Sequence, residues 1–259
     1  MIDSLYIGAT GLHAQQVNVD SIANNLANVN TSGFKRSRVS FDDLLYRDVA
    51  RTTATGQGAE VSTLAGVGVS IANIGKIFTQ GDLKKTDVPL DVAIQGQGFF
   101  EVTLPDGTQA YTRSGHFVVN RDGYLVTADG LSLKNPIQIP NDAREIIIQP
   151  SGLVLANLPD ENELVEIGRL ELTNFVNPAG LSPQGNNLYV STDLSGELIN
   201  GKPGELGFGT LQQGSLESSN VKLIEETIGL IVAQRAYEAN TKIIQAADEM
   251  LEMSNNLRR

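Results

Sequence analysis

Two histidines, His13 and His116, supply all the imidazole in a chain of 259 residues, and there is no cysteine. A Ser-His-Asp nucleophilic set or a His-ligated metal would have to use one of the two, while disulfides, thiolate metal sites and a cysteine nucleophile are excluded. Both histidines stand isolated in the sequence. Ser32-Gly33-Phe34-Lys35 and Ser219-Asn220-Val221-Lys222 have the S-x-x-K form, but so short a pattern recurs by chance and neither lies in a hydrolase-like context. Gly96-Gln97-Gly98 lacks the third glycine of a dinucleotide fingerprint and precedes a strand-like run rather than a helix. Asp160, Glu161 and Glu163 group carboxylates as a cation site would, and equally as a solvated loop would; we read the loop. Carboxylate pairs hydrolyse glycosides only at a set separation, which no spacing here defines. No catalytic set emerges, and no cofactor or metal is expected.

The remaining candidates are adhesive rather than reactive. Asn24, Asn25 and Asn28 occupy helix positions where Ala, Glu or Lys would serve better, because Asn competes for backbone hydrogen bonds. Their amides either bond across subunits or ease the helix into a turn at Thr31-Ser32-Gly33. Gly33 reads as a positive-φ hinge, and Phe34 as an anchor just past it or as local core. Near the other end, Gln234, Arg235, Tyr237 and Asn240 span just under two helical turns. Arg235 can pair with Glu238 at i+3, a contact worth about 0.2–0.5 kcal/mol, or with an acidic residue of another subunit. Tyr237 needs a hydroxyl partner if buried.

The elements that carry these residues follow from periodicity. From Ser4 to Val29 there is no Pro, Lys or Arg, and Ile2/Leu5, Ala9/Leu12, Gln16/Val19 and Ala23/Leu26 repeat every seven residues as a coiled-coil seam would. Gly8 and Gly11 weaken that helix locally, at about 1 kcal/mol each relative to Ala. From about Asn220 to Leu257 a second helix is predicted, its seam running through Leu230, Ala233, Tyr237, Asn240, Ile244, Ala247, Leu251 and Ser254. Between them the period changes. Short β-rich runs are separated by Asp106-Gly107, Asp122-Gly123 and Asp129-Gly130, which signal hairpins. The fold class predicted is α+β: a stem helix over 1–30, an extended connector over 31–71, a mainly antiparallel β domain over 72–214 and a second stem helix over 215–259. Thr52 to Gly58 is the most flexible part of the connector on composition. With 5% aromatics and no Trp, the core is expected to rest on Leu, Ile and Val.

The formal charge of −11 argues against a grip on nucleic acid. No apolar run approaches the about 18 residues of a bilayer-spanning helix, so membrane insertion is not expected. The N-terminus lacks the basic and apolar regions of a cleaved signal peptide. The seam of the first helix cannot by itself offset the entropy of ordering it. Small and polar residues along both helices suit close contact with several others, which predicts self-assembly through the two ends. The interface residues expected are Leu5, Leu12, Val19, Ile22, Asn24, Asn25, Leu26, Asn28, Gly33, Phe34, Leu230, Gln234, Arg235, Tyr237, Asn240, Ile244 and Leu251.

Ile22-Ala23-Asn24-Asn25-Leu26-Ala27-Asn28-Val29-Asn30-Thr31-Ser32-Gly33-Phe34-Lys35 resembles the N-terminal signature of the bacterial flagellar rod and hook proteins. Gln234-Arg235-Ala236-Tyr237-Glu238-Ala239-Asn240-Thr241-Lys242 is similar to their C-terminal signature, and Leu90 to Phe100 with Tyr111 to Gly115 to their β domain. Length and connector are most similar to the distal-rod type. The resemblance implies a non-enzymatic subunit that forms a homo-oligomeric helical tube with other rod and hook proteins, within surrounding bushing rings. It also implies export through the flagellar type III apparatus without a cleaved signal, a place in the basal body across the periplasm, and a stiffening stretch at about Tyr46 to Gly66. Alternatives are another axial protein of the family or, from a different class, a secreted β-rich glycan-binding protein or cell-wall hydrolase.

Overall fold

The computed structural model describes residues 2–44, 46–53, 60–140, 142–159 and 164–256. The reading of Asp160, Glu161 and Glu163, and most of the flexible stretch to Gly58, lie outside the described residues. Two compact units are present: residues 1–27, 37–75 and 222–259 form one, residues 28–36 and 76–221 the other.

In the first unit, helix α1 (Ile2–Ala27) packs on helix α2 (Leu223–Asn256). Contacts run in opposite directions along the two: Gly8 lies on Ile244, Gly11 on Asn240, and Ile22 on Gly229. The helices are therefore antiparallel. A Cβ at Gly8 would stand 2.8 Å from Ile244 Cγ1, and one at Gly11 would stand 2.8 Å from Asn240 Nδ2. These two glycines, expected only to weaken α1, let its backbone approach α2 closely. The seam is turned accordingly. Leu5, Leu12, Val19 and Leu26 are half-buried, while their predicted partners Ala9, Gln16 and Ala23 are exposed.

The connector is not a single unpaired arm. Strands β2 (Tyr46–Thr53) and β3 (Glu60–Gly66) form an antiparallel ribbon from Tyr46 opposite Gly66 to Thr53 opposite Glu60, with a bulge between Asp48 and Ala50. Strands β1 (Ser37–Asp43) and β4 (Val69–Lys76) pair beside it.

The second unit holds a seven-stranded antiparallel sheet. Its spatial order is Ser182–Gly185, Leu188–Val190, Gln109–Thr112, Phe100–Thr103, Ser132–Leu133, Leu125–Thr127 and Phe117–Val119. The Asp-Gly turns stand where the sequence put them, with φ of 83° at Gly107, 81° at Gly123 and 80° at Gly130. A three-stranded sheet (Glu145–Ile148, Leu153–Asn157, Val165–Arg169) and three strand pairs complete the unit: Leu172–Phe175 with Leu198–Gly201, Val92–Gln95 with Thr210–Gln213, and Leu83–Lys85 with Ser215–Glu217. The main core is aliphatic with two phenylalanines, and includes Val92, Ile94, Phe100, Val102, Phe117, Leu125, Leu172 and Leu211. A separate aromatic nest of Phe99, Tyr111, Phe175 and Tyr189, with Phe78 at its edge, goes beyond the expected Leu-Ile-Val core. Its rings meet edge to face, Tyr111 on Phe175 at 4.8 Å between centroids. Burial there pushes the Tyr111 hydroxyl up to about 12.

Gly115 sits where a Cβ would overlap the Val92 carbonyl, and its own carbonyl accepts from Val92 N at 2.9 Å. Neither backbone can move without breaking this contact. Gly115→Ala is expected to cost about 1–3 kcal/mol, the range for overpacking, read by urea unfolding of the dilute chain.

Candidate functional site

Each unit carries one feature that stands out chemically. In the first it is an asymmetric helix pair. The α2 face toward α1 holds buried Glu226, Ala233 and Ala247, with Leu230, Asn240, Ile244 and Leu251 half-buried. Its opposite side carries open apolar residues, interrupted by the exposed charges Arg235, Lys242 and Glu249. Ile224, Ile228, Ile231, Val232, Ile243, Met250 and Met253 recur at helical spacing and are each between 45% and 73% exposed. An amphipathic helix normally turns charge to water; here large apolar residues also stand on the outer side, and they are not covered within the chain. Arg235, exposed, makes the i+3 pair with Glu238 at 3.0 Å. Gln234 and Tyr237 are also exposed, Tyr237 at 42% despite its place in the predicted seam.

The three asparagines part company. Asn24 is exposed. Asn25 is buried, and its amide is used inside the chain: Nδ2 donates to the Ser37 carbonyl at 2.9 Å and to Glu226 Oε2 at 3.2 Å, while Oδ1 accepts from Ser37 N at 2.8 Å. It ties α1 to both β1 and α2 within the chain. In the second unit, Asn28 serves the turn: its carbonyl accepts from Thr31 N at 3.1 Å and its side chain from the Thr31 hydroxyl at 3.1 Å.

The second unit's feature is a buried charge cluster that sequence reasoning missed. Glu217 is fully buried, and its carboxylate accepts three hydrogen bonds and one further ion-pair contact. Lys35 Nζ at 2.6 Å and Gly81 N at 2.9 Å donate to Oε1; Arg113 Nε donates to Oε2 at 2.9 Å, and its Nη2 lies 2.8 Å from the same oxygen. Lys35 Nζ also donates to the Thr79 carbonyl at 2.8 Å, and Arg113 Nη1 to the carbonyls of Gly96 and Gly98 at 3.0 and 2.6 Å. Lys35 and Arg113 are only 1% and 5% exposed in their side chains, so the cluster carries one net positive charge in a dry setting. Burial pulls both cations below their ordinary ranges, and Glu217 opposes that pull. The neighbouring residues serve the same joint. Gly33 has φ +73°, and a Cβ there would stand 2.9 Å from Ser114 N; its N–H donates to the Glu217 carbonyl at 2.7 Å. The expected hinge is thus a fixed bend. Phe34 is buried with Lys76 Nζ 4.3 Å above its ring. The paired glycines of Gly96-Gln97-Gly98 offer carbonyls to an arginine, not amides to a phosphate. One signal was available in advance for two of the three: Arg113 and Glu217 are single charges set among Gly, Ser, Thr and apolar neighbours, whereas Lys35 is followed at once by Arg36.

His116 is not isolated as expected. Its Nδ1 lies 2.6 Å from Asp91 Oδ1, although among the described residues no hydroxyl bonds its other nitrogen. Among the same residues no group of acidic or histidine side chains could hold a metal, and no helix is long and apolar enough to cross a membrane.

Comparison with known proteins gives these features a context. Residues 5–35 match the flagella basal body rod protein family, residues 93–156 the flagellar hook protein FlgE/F/G D1 domain, and residues 212–257 the flagellar basal body rod FlgEFG protein C-terminal family. The chain is an axial protein of the bacterial flagellum. It is 46% identical over 267 residues to the flagellar basal-body rod protein FlgG of Borreliella burgdorferi, with all of both chains covered. To FlgG of Caulobacter vibrioides it is 43% identical over 99% of this chain, and to FlgG of Bacillus subtilis 40% over all of it. The chain belongs to the FlgG family of flagellar basal-body rod proteins. It is a structural, self-assembling subunit of the flagellar rod and not an enzyme, and the distal-rod type read from length and connector agrees with this family.

Proposed function

We propose that copies of this chain stack into a straight hollow shaft that carries torque across the periplasm to the hook, turning inside bushing rings. The subunits reach the growing tip unfolded, through the flagellar type III export apparatus. The observation that supports this reading is the uncovered apolar residues on the outer side of α2. Seven large apolar side chains along 30 residues of one helix are costly in water, and neighbouring copies around a common axis would cover them. Leu5, Leu12, Val19 and Leu26 of α1 and Gln234, Tyr237 and Leu251 of α2 are half-buried or exposed and would add to the contact surface. Ile22, Asn25, Gly33 and Phe34 are buried within their own units.

Purified full-length protein is expected to form straight hollow filaments above a threshold concentration, visible by electron microscopy. Persistence as a monomer at every concentration would contradict the proposal. Shortening the ribbon between Tyr46 and Gly66 is expected to leave the unfolding of the second unit unchanged while the filaments curve. Straight filaments from that variant would remove the stiffening role of the ribbon.

A further inference from the structure

A cavity of about 20 Å³ in the second unit is lined by Glu101, Lys134, Arg169, Thr173 and Asn200, among others. Glu101 is only 5% exposed, and its Oε2 accepts from Lys134 Nζ at 2.8 Å and from the Thr173 hydroxyl at 3.0 Å. Its Oε1 is buried and, among the described residues, meets no donor. Arg169 Nε is likewise buried and meets no acceptor. Protein interiors pair nearly all such atoms, with protein groups or with ordered water. The volume is above the about 10–15 Å³ that one water requires.

We propose that this cavity binds a single ordered water, which accepts from Arg169 Nε–H and donates to Glu101 Oε1. A bare cation is disfavoured by Lys134 and Arg169, and an anion by the Glu101 oxygen. A neutral molecule with both a donor and an acceptor satisfies the two orphaned atoms together. The consequence is a water-bridged ion pair between strands Val165–Arg169 and Phe100–Thr103, which belong to different sheets of the same unit. Lys134 and the Thr173 hydroxyl hold the other oxygen of the carboxylate, so the bridge is fixed at its acidic end.

A crystal structure of the full-length chain that resolves ordered waters is the test. One peak about 2.7–3.2 Å from both Arg169 Nε and Glu101 Oε1 is expected. An empty cavity, or a direct Arg169–Glu101 contact that closes it, would overturn the proposal. So would an anomalous peak at the site after a bromide soak, which would make it an anion site. In Arg169→Met, which keeps the stem but not the donor, the peak should vanish; a water unchanged in place would show that Arg169 is no partner. Should that variant not fold, the wild-type density and the bromide soak still decide.

Discussion

Glu217→Ala is expected to lower the unfolding free energy of the dilute chain by about 3–5 kcal/mol, the range for removing one partner of a buried ion pair. The size follows from what is left behind. Among the described residues, Glu217 is the one carboxylate bonded to the buried cations Lys35 and Arg113. After its removal, Lys35 can shed its proton, since burial already holds its ammonium below the ordinary range. Arg113 has no such escape, because a guanidinium does not deprotonate in proteins. Most of the cost therefore falls on Arg113, and Glu217→Leu combined with Arg113→Met should recover part of it. Amide exchange should quicken first at Gly81, whose N–H loses the Glu217 carboxylate, and less at Gly33, whose N–H bonds the Glu217 backbone carbonyl that the substitution keeps. Urea unfolding below the assembly threshold provides the measurement. A loss under about 1 kcal/mol, typical of exposed pairs, would mean that water reaches the cluster and that it does not fasten residues 28–36 to the β unit.

The same cluster marks the limit of what the sequence disclosed. Helices, Asp-Gly hairpins and the family signatures are local patterns, and each was found in place. Lys35, Arg113 and Glu217 come from three distant parts of the chain, and a lone charge carries no mark of the partner that will bury it. Glycine misled in another way. Gly8 and Gly11 were counted by helix propensity, although their role is to have no side chain where α1 meets Ile244 and Asn240. Asn25 looked adhesive toward other subunits because its type and spacing were right, and only the nearness of Ser37 and Glu226 shows that its amide is already used. The strands of the connector escaped because composition there is small and polar, and pairing across a ribbon leaves little periodic trace.

A paired substitution on the open face of α2, Ile228→Glu with Ile231→Glu, is expected to raise the concentration needed for filament assembly at least about a hundredfold, equivalent to about 2.7 kcal/mol per subunit. Both side chains are more than half exposed in the single chain, at 57% and 54%, so their apolar surface has water on it before assembly and none if a neighbour covers it. Losing two such burials forfeits on the order of 1–1.5 kcal/mol each, about half the value of a fully buried aliphatic side chain. Desolvating two carboxylates without partners adds to this. Neither residue faces α1, so the helical content and unfolding of the dilute monomer should match those of the parent chain. Gln245→Glu, also exposed on α2 but outside the stripe, adds a negative charge as a control for net charge and should assemble near the parent concentration. If the paired variant assembled as readily as the parent, the apolar stripe would be a solvent face of the finished rod, and the assembly contacts would have to be sought on α1.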